Sequence, residues 1–483
     1  MPYDERASAA FDVRVSRHLD VIEQLERVRS NSDQVRRAVD AVAQERTRLI
    51  NQFLRLHPYQ HRNTIEEIRR RGLTGVRFAV LNEGVAQDLA ILYIALPYAD
   101  TSALVAARRI RTAEVLRDVV SSDMSDRFST DPHGEVIWRE FVDQEFETRT
   151  KPQSAWWPGV IEFCRQGMEQ IDQWQLAKGS YRSVYSRAMW PTAHVLAALY
   201  KARNPQTKWI AEFSDPLVRG IAGQPRESNG KPTAAFVGEL RDALQSRGVQ
   251  PPDSDNLYVW IETLAYGLAD VVLFTNEHQR DFMLAHCEDR ALARRALRHA
   301  AIEYHPTLPA KFYQLYEAHY ELDPAKVNIG YFGVFYATRG LTEVIDAFRG
   351  LRPEIRAKLR LHVFTNKPDE LAADVVTAEV GDVIIANPYV SFLELLNLTT
   401  KLDVLLINDY RTLGTHGMNP YVPAKWSDYA GSGTPIWAII EPGSVLSARE
   451  VAYRSELGDV DGARAVLERM VADSTNAAPT TIG

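Results

Sequence analysis

In the run THGMNPYVPAKWSDYAGSGTP (415 to 435), Lys425 and Asp428 stand three residues apart, with Tyr429 beside the aspartate. Positions three apart share a helix face. An ammonium at Lys425 neutralises phosphate, and the Asp428 carboxylate accepts hydrogen bonds from both hydroxyls of a ribose. Pro423 suits a first helical turn and Gly431 with Gly433 ends the helix, so the spacing predicts roughly two turns. The plainer account, a surface Lys–Asp pair, contributes only a few tenths of a kcal/mol.

A second run, GYFGVFYATRGLTEV, places Gly330 and Gly333 around the end of a predicted strand, and the next helix opens near Arg339-Gly340. Glycine lets backbone approach a ligand closely. A diphosphate there meets backbone N–H groups, the positive end of a helix dipole and the Arg339 guanidinium. A tight turn with a surface arginine explains the same residues without a ligand. The two runs fall on one side of the sheet that carries them.

That sheet is read from strands and helices in alternation. VNIGYFG (327 to 333), LRLHVFT (359 to 365), VIIANPYV (383 to 390), DVLLIN (403 to 408) and TPIWAII (434 to 440) are predicted strands. LTEVIDAFRGL, FLELLNLTTK and PAKWSDYAGS are the helices between them. The pattern predicts a doubly wound parallel sheet that binds ligands outside the carboxyl ends of its strands.

The first half repeats the pattern less regularly. ILYIALPY (91 to 98) is a predicted buried strand, followed by Asp100, Thr101 and Ser102, all N-cap types, and the helical run LVAARRI. These three open a helix towards whatever sits above the strand, although capping alone accounts for them equally well. Arg187 and His194 accompany the aromatic helix MWPTAHVLAALYKA, and Asp215 follows the strand KWIAEFSDP (208 to 216). Further on come a helix around YVWIETLAYGLA and the strand DVVLFTN. Residues 121 to 180 read as an irregular insertion, and HPTLP (305 to 309) as a hinge. A single histidine such as His194 or His305 is more often a core or hinge residue than a catalyst.

Residues 12 to 56 lack Gly and Pro and carry a heptad register through Val21, Leu25, Val28, Ser32, Val35, Val39, Val42, Arg46, Leu49 and Phe53. This predicts a coiled coil or helical hairpin, for homo-oligomerisation or a protein partner, with a helix folded onto the chain's own core as the alternative. The expected domains are 1 to 75, helical; 76 to 310 and 311 to 465, both Rossmann-like; and 466 to 483, a helix end and flexible tail.

Composition narrows the classes. The 483 residues exceed one core, and 45% hydrophobic with 25% charged residues is ordinary globular usage. A net charge of −7 opposes a general affinity for nucleic acid. Two cysteines, Cys164 and Cys287, give neither a disulfide framework nor zinc spacing and read as inert core thiols. With no apolar leader or membrane-spanning run, the expected place is the cytoplasm, with at most peripheral membrane contact through Arg108, Arg109 and Arg111. An ordinary solvated helix face is the other reading of those arginines. Asp253-Ser-Asp255 and Asp459-Val-Asp461 read as turn or N-cap aspartates, and no metal site is expected.

The block PxKxxDYxGxGTP, preceded by NPY, resembles the donor-binding block of the family 4 GT-B glycosyltransferases, and the Arg339-Gly340 loop resembles their phosphate-binding loop. The stretches ALPYADTSALVAARRI and KWIAEFSDP are similar to their acceptor-domain strands. The resemblance covers roughly residues 85 to 465 and leaves out the heptads. It implies an α/β chain of two Rossmann-like domains facing a cleft, and retaining, metal-independent transfer from a nucleotide-sugar to a saccharide or lipid-linked acceptor in surface polysaccharide synthesis. No cofactor is then required. Arg339 and Lys425 would stabilise the leaving group, and Gly333, Gly340, His416, Asn419, Asp428 and Tyr429 would hold the donor. Asp100, Thr101, Ser102, Arg187, His194 and Asp215 are the acceptor candidates. Where many members place two glutamates eight residues apart, this chain has Pro420 and Asp428, which leaves the sugar-contacting role to the loop from Thr415 to Asn419. Two other readings stay open: a non-catalytic scaffold, and a nucleotide-sugar epimerase, for which the C-terminal motifs carry no clear set of acid/base carboxylates.

Overall fold

The computed structural model describes residues 13–28, 32–150, 155–333, 341–412 and 414–476. The chain forms two compact units. One comprises residues 1–214, 227–273 and 294–299, the other 215–226, 274–293 and 300–483.

Among the described residues thirteen strands, most of them β-branched and apolar, form two sheets. The first contains β1 (Asp88–Leu92), β2 (Arg117–Ser122), β3 (Val142–Thr148), β4 (Ser183–Arg187), β5 (Lys208–Phe213), β6 (Val271–Phe274) and β7 (Ala300–Ile302), in the order β3-β2-β1-β4-β5-β6-β7. The second contains β8 (Val327–Phe332), β9 (Leu359–Thr365), β10 (Ile384–Pro388), β11 (Val404–Asn408), β12 (Ile436–Ile440) and β13 (Tyr453–Glu456), in the order β10-β9-β8-β11-β12-β13. β1 pairs in parallel with β2 and β4, and β8 with β9 and β11. Both orders grow outward from a central pair in opposite directions, which is the doubly wound arrangement. In the second unit the helices Thr342–Arg349 and Val460–Asn476 cover one face, burying Val344, Ala347, Phe348, Leu467 and Met470 against Ile329, Leu361, Val363 and Trp437.

Several expectations need correction. Residues 121 to 180 are not an irregular insertion, since they hold β3 and a helix at Trp157–Lys178. β3 lies on the sheet edge, so its VDQEFET sequence alternates polar and apolar residues and lacks the apolar run of a central strand. The helix is interrupted in pattern by Gly167, whose missing Cβ admits Leu196. β1 stops at Leu92, and the apolar run continues as buried irregular backbone through Leu96. Gly330 lies inside β8, where a Cβ would overlap Leu402, so close packing and not ligand approach explains it.

The N-terminal heptads do form helices, α1 (Val13–Glu26) and α2 (Asp33–Leu56), and α1 packs against α2 as a hairpin. The register is not the predicted one. α2 buries Ala43, Thr47, Ile50 and Leu54, each one position after Val42, Arg46, Leu49 and Phe53. One position turns the face by ~100°. Val28, Val35 and Val42 are left 52%, 39% and 41% exposed. The sequence carries two apolar stripes on α2, and packing within the unit selects the one with the small Ala43 and Thr47. The arginine cluster is also not a surface feature: Arg108, Arg109 and Arg111 are all buried. Of the expected flexible tail, residues 474 to 476 continue a helix and the rest lie outside the described residues.

Candidate functional site

In the second sheet the strand order reverses between β8 and β11. Ligands of doubly wound sheets bind outside the carboxyl ends at such a reversal. The segments leaving these two strands are the two runs singled out in the sequence. β8 ends at Phe332, and the Gly333 N–H donates to Phe364 O at 3.0 Å. Arg339 and Gly340 lie outside the described residues.

The segment after β11 is built in layers. Thr412 donates to Glu441 twice, from its N–H at 2.6 Å and from its hydroxyl at 2.5 Å. The Asn419 amide donates to the same carboxylate at 2.8 Å and to Tyr410 O at 3.0 Å, and its Oδ1 accepts from Tyr421 N–H at 3.1 Å. Across the strap, His278 Nδ1 donates to Asn419 O at 3.1 Å and the Asn276 amide to Pro420 O at 3.1 Å. His416 Nε2 donates to Ile221 O at 2.7 Å, with its ring against the edge of Phe282 at 4.8 Å. A buried carboxylate at the carboxyl end of β12 thus ties both ends of the strap from Thr412 to Asn419. Gly414, Thr415, Gly417 and Met418 are exposed along it.

The strap delivers the chain to the helix Lys425–Ala430, which starts two residues after Pro423. Tyr429 is buried and its hydroxyl accepts from Phe332 N–H at 3.2 Å, which fastens this helix to the end of β8. Tyr313 donates to Asp428 O at 2.6 Å from the other side, and a Cβ at Gly431 would overlap that tyrosine. Tyr429 and Asn419 therefore position the site. Lys425 Nζ is 3.7 Å from Asp428 Oδ2; the lysine side chain is 22% exposed and the aspartate 3%. A partly exposed ammonium beside an enclosed carboxylate offers a cation to an anion and acceptor oxygens to hydroxyl groups.

The first sheet reverses between β1 and β4, and three acceptor candidates meet there. Asp100 caps the helix Thr101–Ala113 by accepting from Ser102 N–H at 2.7 Å, and burial pushes its carboxyl up. Thr101 is exposed on the first turn. Arg187, at the end of β4, donates to the Ser102 hydroxyl and lies 3.5 Å from Glu212. Glu212 also takes Arg109 through both Nε and Nη2 at 3.2 Å and the Tyr185 hydroxyl at 2.6 Å. Burial pushes Glu212 up, but the two guanidiniums outweigh it and hold the carboxyl at about 2. His194 is a core residue. Ser186 Oγ accepts from Trp209 Nε1 at 2.8 Å and so donates its one proton to His194 Nδ1 at 2.8 Å, while burial holds the imidazole down to about 3. Asp215 belongs to the second unit, where its charge acts on the buried Tyr421 of the strap.

The Anabaena HepE structure, solved with UDP and glucose, matches this chain with a TM-score of 0.50 at 11% identity, over 80% of this chain and 91% of that one. The fold is that of the GT-B glycosyltransferases. Sucrose-phosphate synthase from Thermosynechococcus elongatus also matches this GT-B chain (12% identity, 80% and 90% covered, TM-score 0.48). So does WaaG, a glycosyltransferase involved in lipopolysaccharide biosynthesis (11%, 80% and 91%, TM-score 0.45). No family model and no curated protein matches the sequence.

Glu441, Thr412, Tyr313 and Glu212 were not singled out from the sequence. Glu441 had a signal, a carboxylate immediately after the apolar strand IWAII. Among the described residues no cluster of three His, Cys, Asp or Glu side chains is placed to hold a metal, and no helix is long and apolar enough to cross a membrane. Asp459 accepts from Gly462 N–H at 2.8 Å, as an N-cap does, and Asp255 pairs with Lys231 at 3.0 Å. Cys164 is buried, which pushes its thiol up, whereas Cys287 is half-buried.

Proposed function

We propose that this chain is a retaining glycosyltransferase that moves a sugar from a nucleotide diphosphate to a hydroxyl of a saccharide or lipid-linked acceptor, without a metal ion. The observation that carries the reading is the enclosed Asp428 with the partly exposed Lys425 at the reversal of the second sheet. Asp428 holds the ribose, and Lys425 together with Arg339 stabilises the charge that grows on the diphosphate as the glycosidic bond breaks. The Asn419 amide is committed to Glu441 and Tyr410, so the exposed residues Gly414, Thr415, Gly417 and Met418 are the part of the strap left to meet the sugar. Surface polysaccharide synthesis in the cytoplasm is the setting of this reading.

An acceptor hydroxyl attacks on the face from which the diphosphate departs, and the departing phosphate takes its proton. No carboxylate nucleophile is needed. Turnover is expected to persist in excess EDTA, and product NMR to show the anomeric configuration of the donor. Loss of turnover on chelation contradicts the metal-free mechanism, and an inverted product contradicts same-face attack.

A further inference from the structure

Surface arginines of the first unit are usually paired: Arg165 with Glu162 and Glu169, Arg203 with Glu239, Arg62 with Glu66 and Glu114. Among the described residues others stand singly without an ion pair, and one group of them is clustered. The helix Arg290–Arg298 buries Leu292, Ala293 and Ala296, so Arg294, Leu297 and Arg298 share its outer face. Arg247, which ends the helix Ala234–Ser246, acts with Arg298 on the guanidinium of Arg295. Among the described residues, no carboxylate makes an ion pair with Arg247, Arg294, Arg295 or Arg298. Asp270, the acid that faces Arg295, is engaged by Lys201 at 2.8 Å and by Trp209 N–H at 2.7 Å. Leu297, within this cluster, is 51% exposed.

We propose that Arg247, Arg294, Arg295, Leu297 and Arg298 form a docking surface for an acidic lipid bilayer. Like charges one helical turn apart repel, and the acid that faces the patch, Asp270, is shared with Lys201 and so offsets that cost only in part. A layer of lipid phosphates supplies the remaining counter-charge, while Leu297 enters the boundary between headgroups and acyl chains. The apolar residue among the arginines favours lipid over nucleic acid, which offers it no apolar phase. Burial, followed by the charges of Arg247 and Arg298, lowers the Arg295 guanidinium from its ordinary value, in keeping with a crowded cationic patch. The proposal is independent of the donor-site reading.

The test is flotation of the full chain with vesicles of phosphatidylcholine alone and of phosphatidylcholine with phosphatidylglycerol. The wild type is expected to bind the acidic vesicles only, and less as salt rises. Arg294→Glu with Arg298→Glu is expected to weaken binding by about 30-fold or more, and Leu297→Ala by less. Lys358→Glu with Lys367→Glu makes the same change in net charge at exposed lysines of the second unit and is expected to bind like wild type. Circular dichroism confirms that each variant is folded. No binding by the wild type, equal binding to neutral vesicles, an equal loss in the control, or binding to duplex DNA in place of vesicles overturns the proposal.

Discussion

Replacing Lys425 by alanine is expected to lower kcat/KM for sugar transfer by about a hundredfold while leaving the fold intact. Removal of one preorganised group that stabilises developing charge typically costs ~10²–10³ in kcat. The lower end applies because the proposed mechanism divides the charge of the diphosphate between Lys425 and Arg339. Stability is expected to fall by ~1–3 kcal/mol, because the change leaves the enclosed Asp428 carboxylate without the cation 3.7 Å away, whereas the hydrogen bonds of Tyr429 and Tyr313 that hold the helix Lys425–Ala430 do not involve the lysine. Steady-state kinetics with the matched nucleotide-sugar reads the first effect and urea unfolding the second. A kcat/KM within about threefold of wild type removes Lys425 from catalysis.

Glu212→Ala is expected to be the most destabilising single substitution discussed, by ~3–5 kcal/mol in urea unfolding. It leaves Arg109 and Arg187 buried without their shared carboxylate and deprives Tyr185 of its acceptor. An exposed pair such as Arg464–Asp461 contributes under ~1 kcal/mol, so Asp461→Ala serves as the control. The pH dependence follows from the same geometry. Glu212 is held at about 2 in the fold against an ordinary value of 4.5, so its contribution is complete above 4.5 and is lost as pH falls from there through about 2. The difference between wild type and Glu212→Ala is therefore expected to shrink on acidification below 4.5. A loss under ~1 kcal/mol at neutral pH contradicts the buried network.

The sequence was most legible where chemistry and pattern coincide. The five predicted strands between residues 327 and 440 are all present; β8, β9, β11 and β12 are interior parallel strands, apolar on both faces, and β10 is the edge strand beside them. The residues of the 415 to 435 run were likewise visible, although the division of labour among them was not. Tyr429 and Asn419 read as ligand contacts, yet their polar atoms are occupied by Phe332 in one case and by Glu441 and Tyr410 in the other, pairings across the fold that no local spacing encodes. The same holds for Arg109 and Arg111, which look like a solvated face until Glu212, 103 residues from Arg109, is placed against the first and Ile137 O and Glu140 against the second. The heptad stripe of α2 shows the converse limit. Periodicity gave a helix, but two stripes ~100° apart fit the same sequence, and only packing within the unit chose between them.

The central claim is that the second unit holds a nucleotide-sugar at Lys425 and Asp428. The most direct test is thermal stability of the purified chain with UDP, GDP, CDP, ADP and their sugar conjugates, in wild type and in Lys425→Ala. A ligand at ~100 times its Kd stabilises the native state by ~2.7 kcal/mol, a readily measured shift. Selective stabilisation by one base, weakened in Lys425→Ala, is the predicted result. No stabilisation by any nucleotide, or an equal shift in both proteins, contradicts the donor site at these residues; the first of these outcomes favours a chain that uses the GT-B fold as a scaffold.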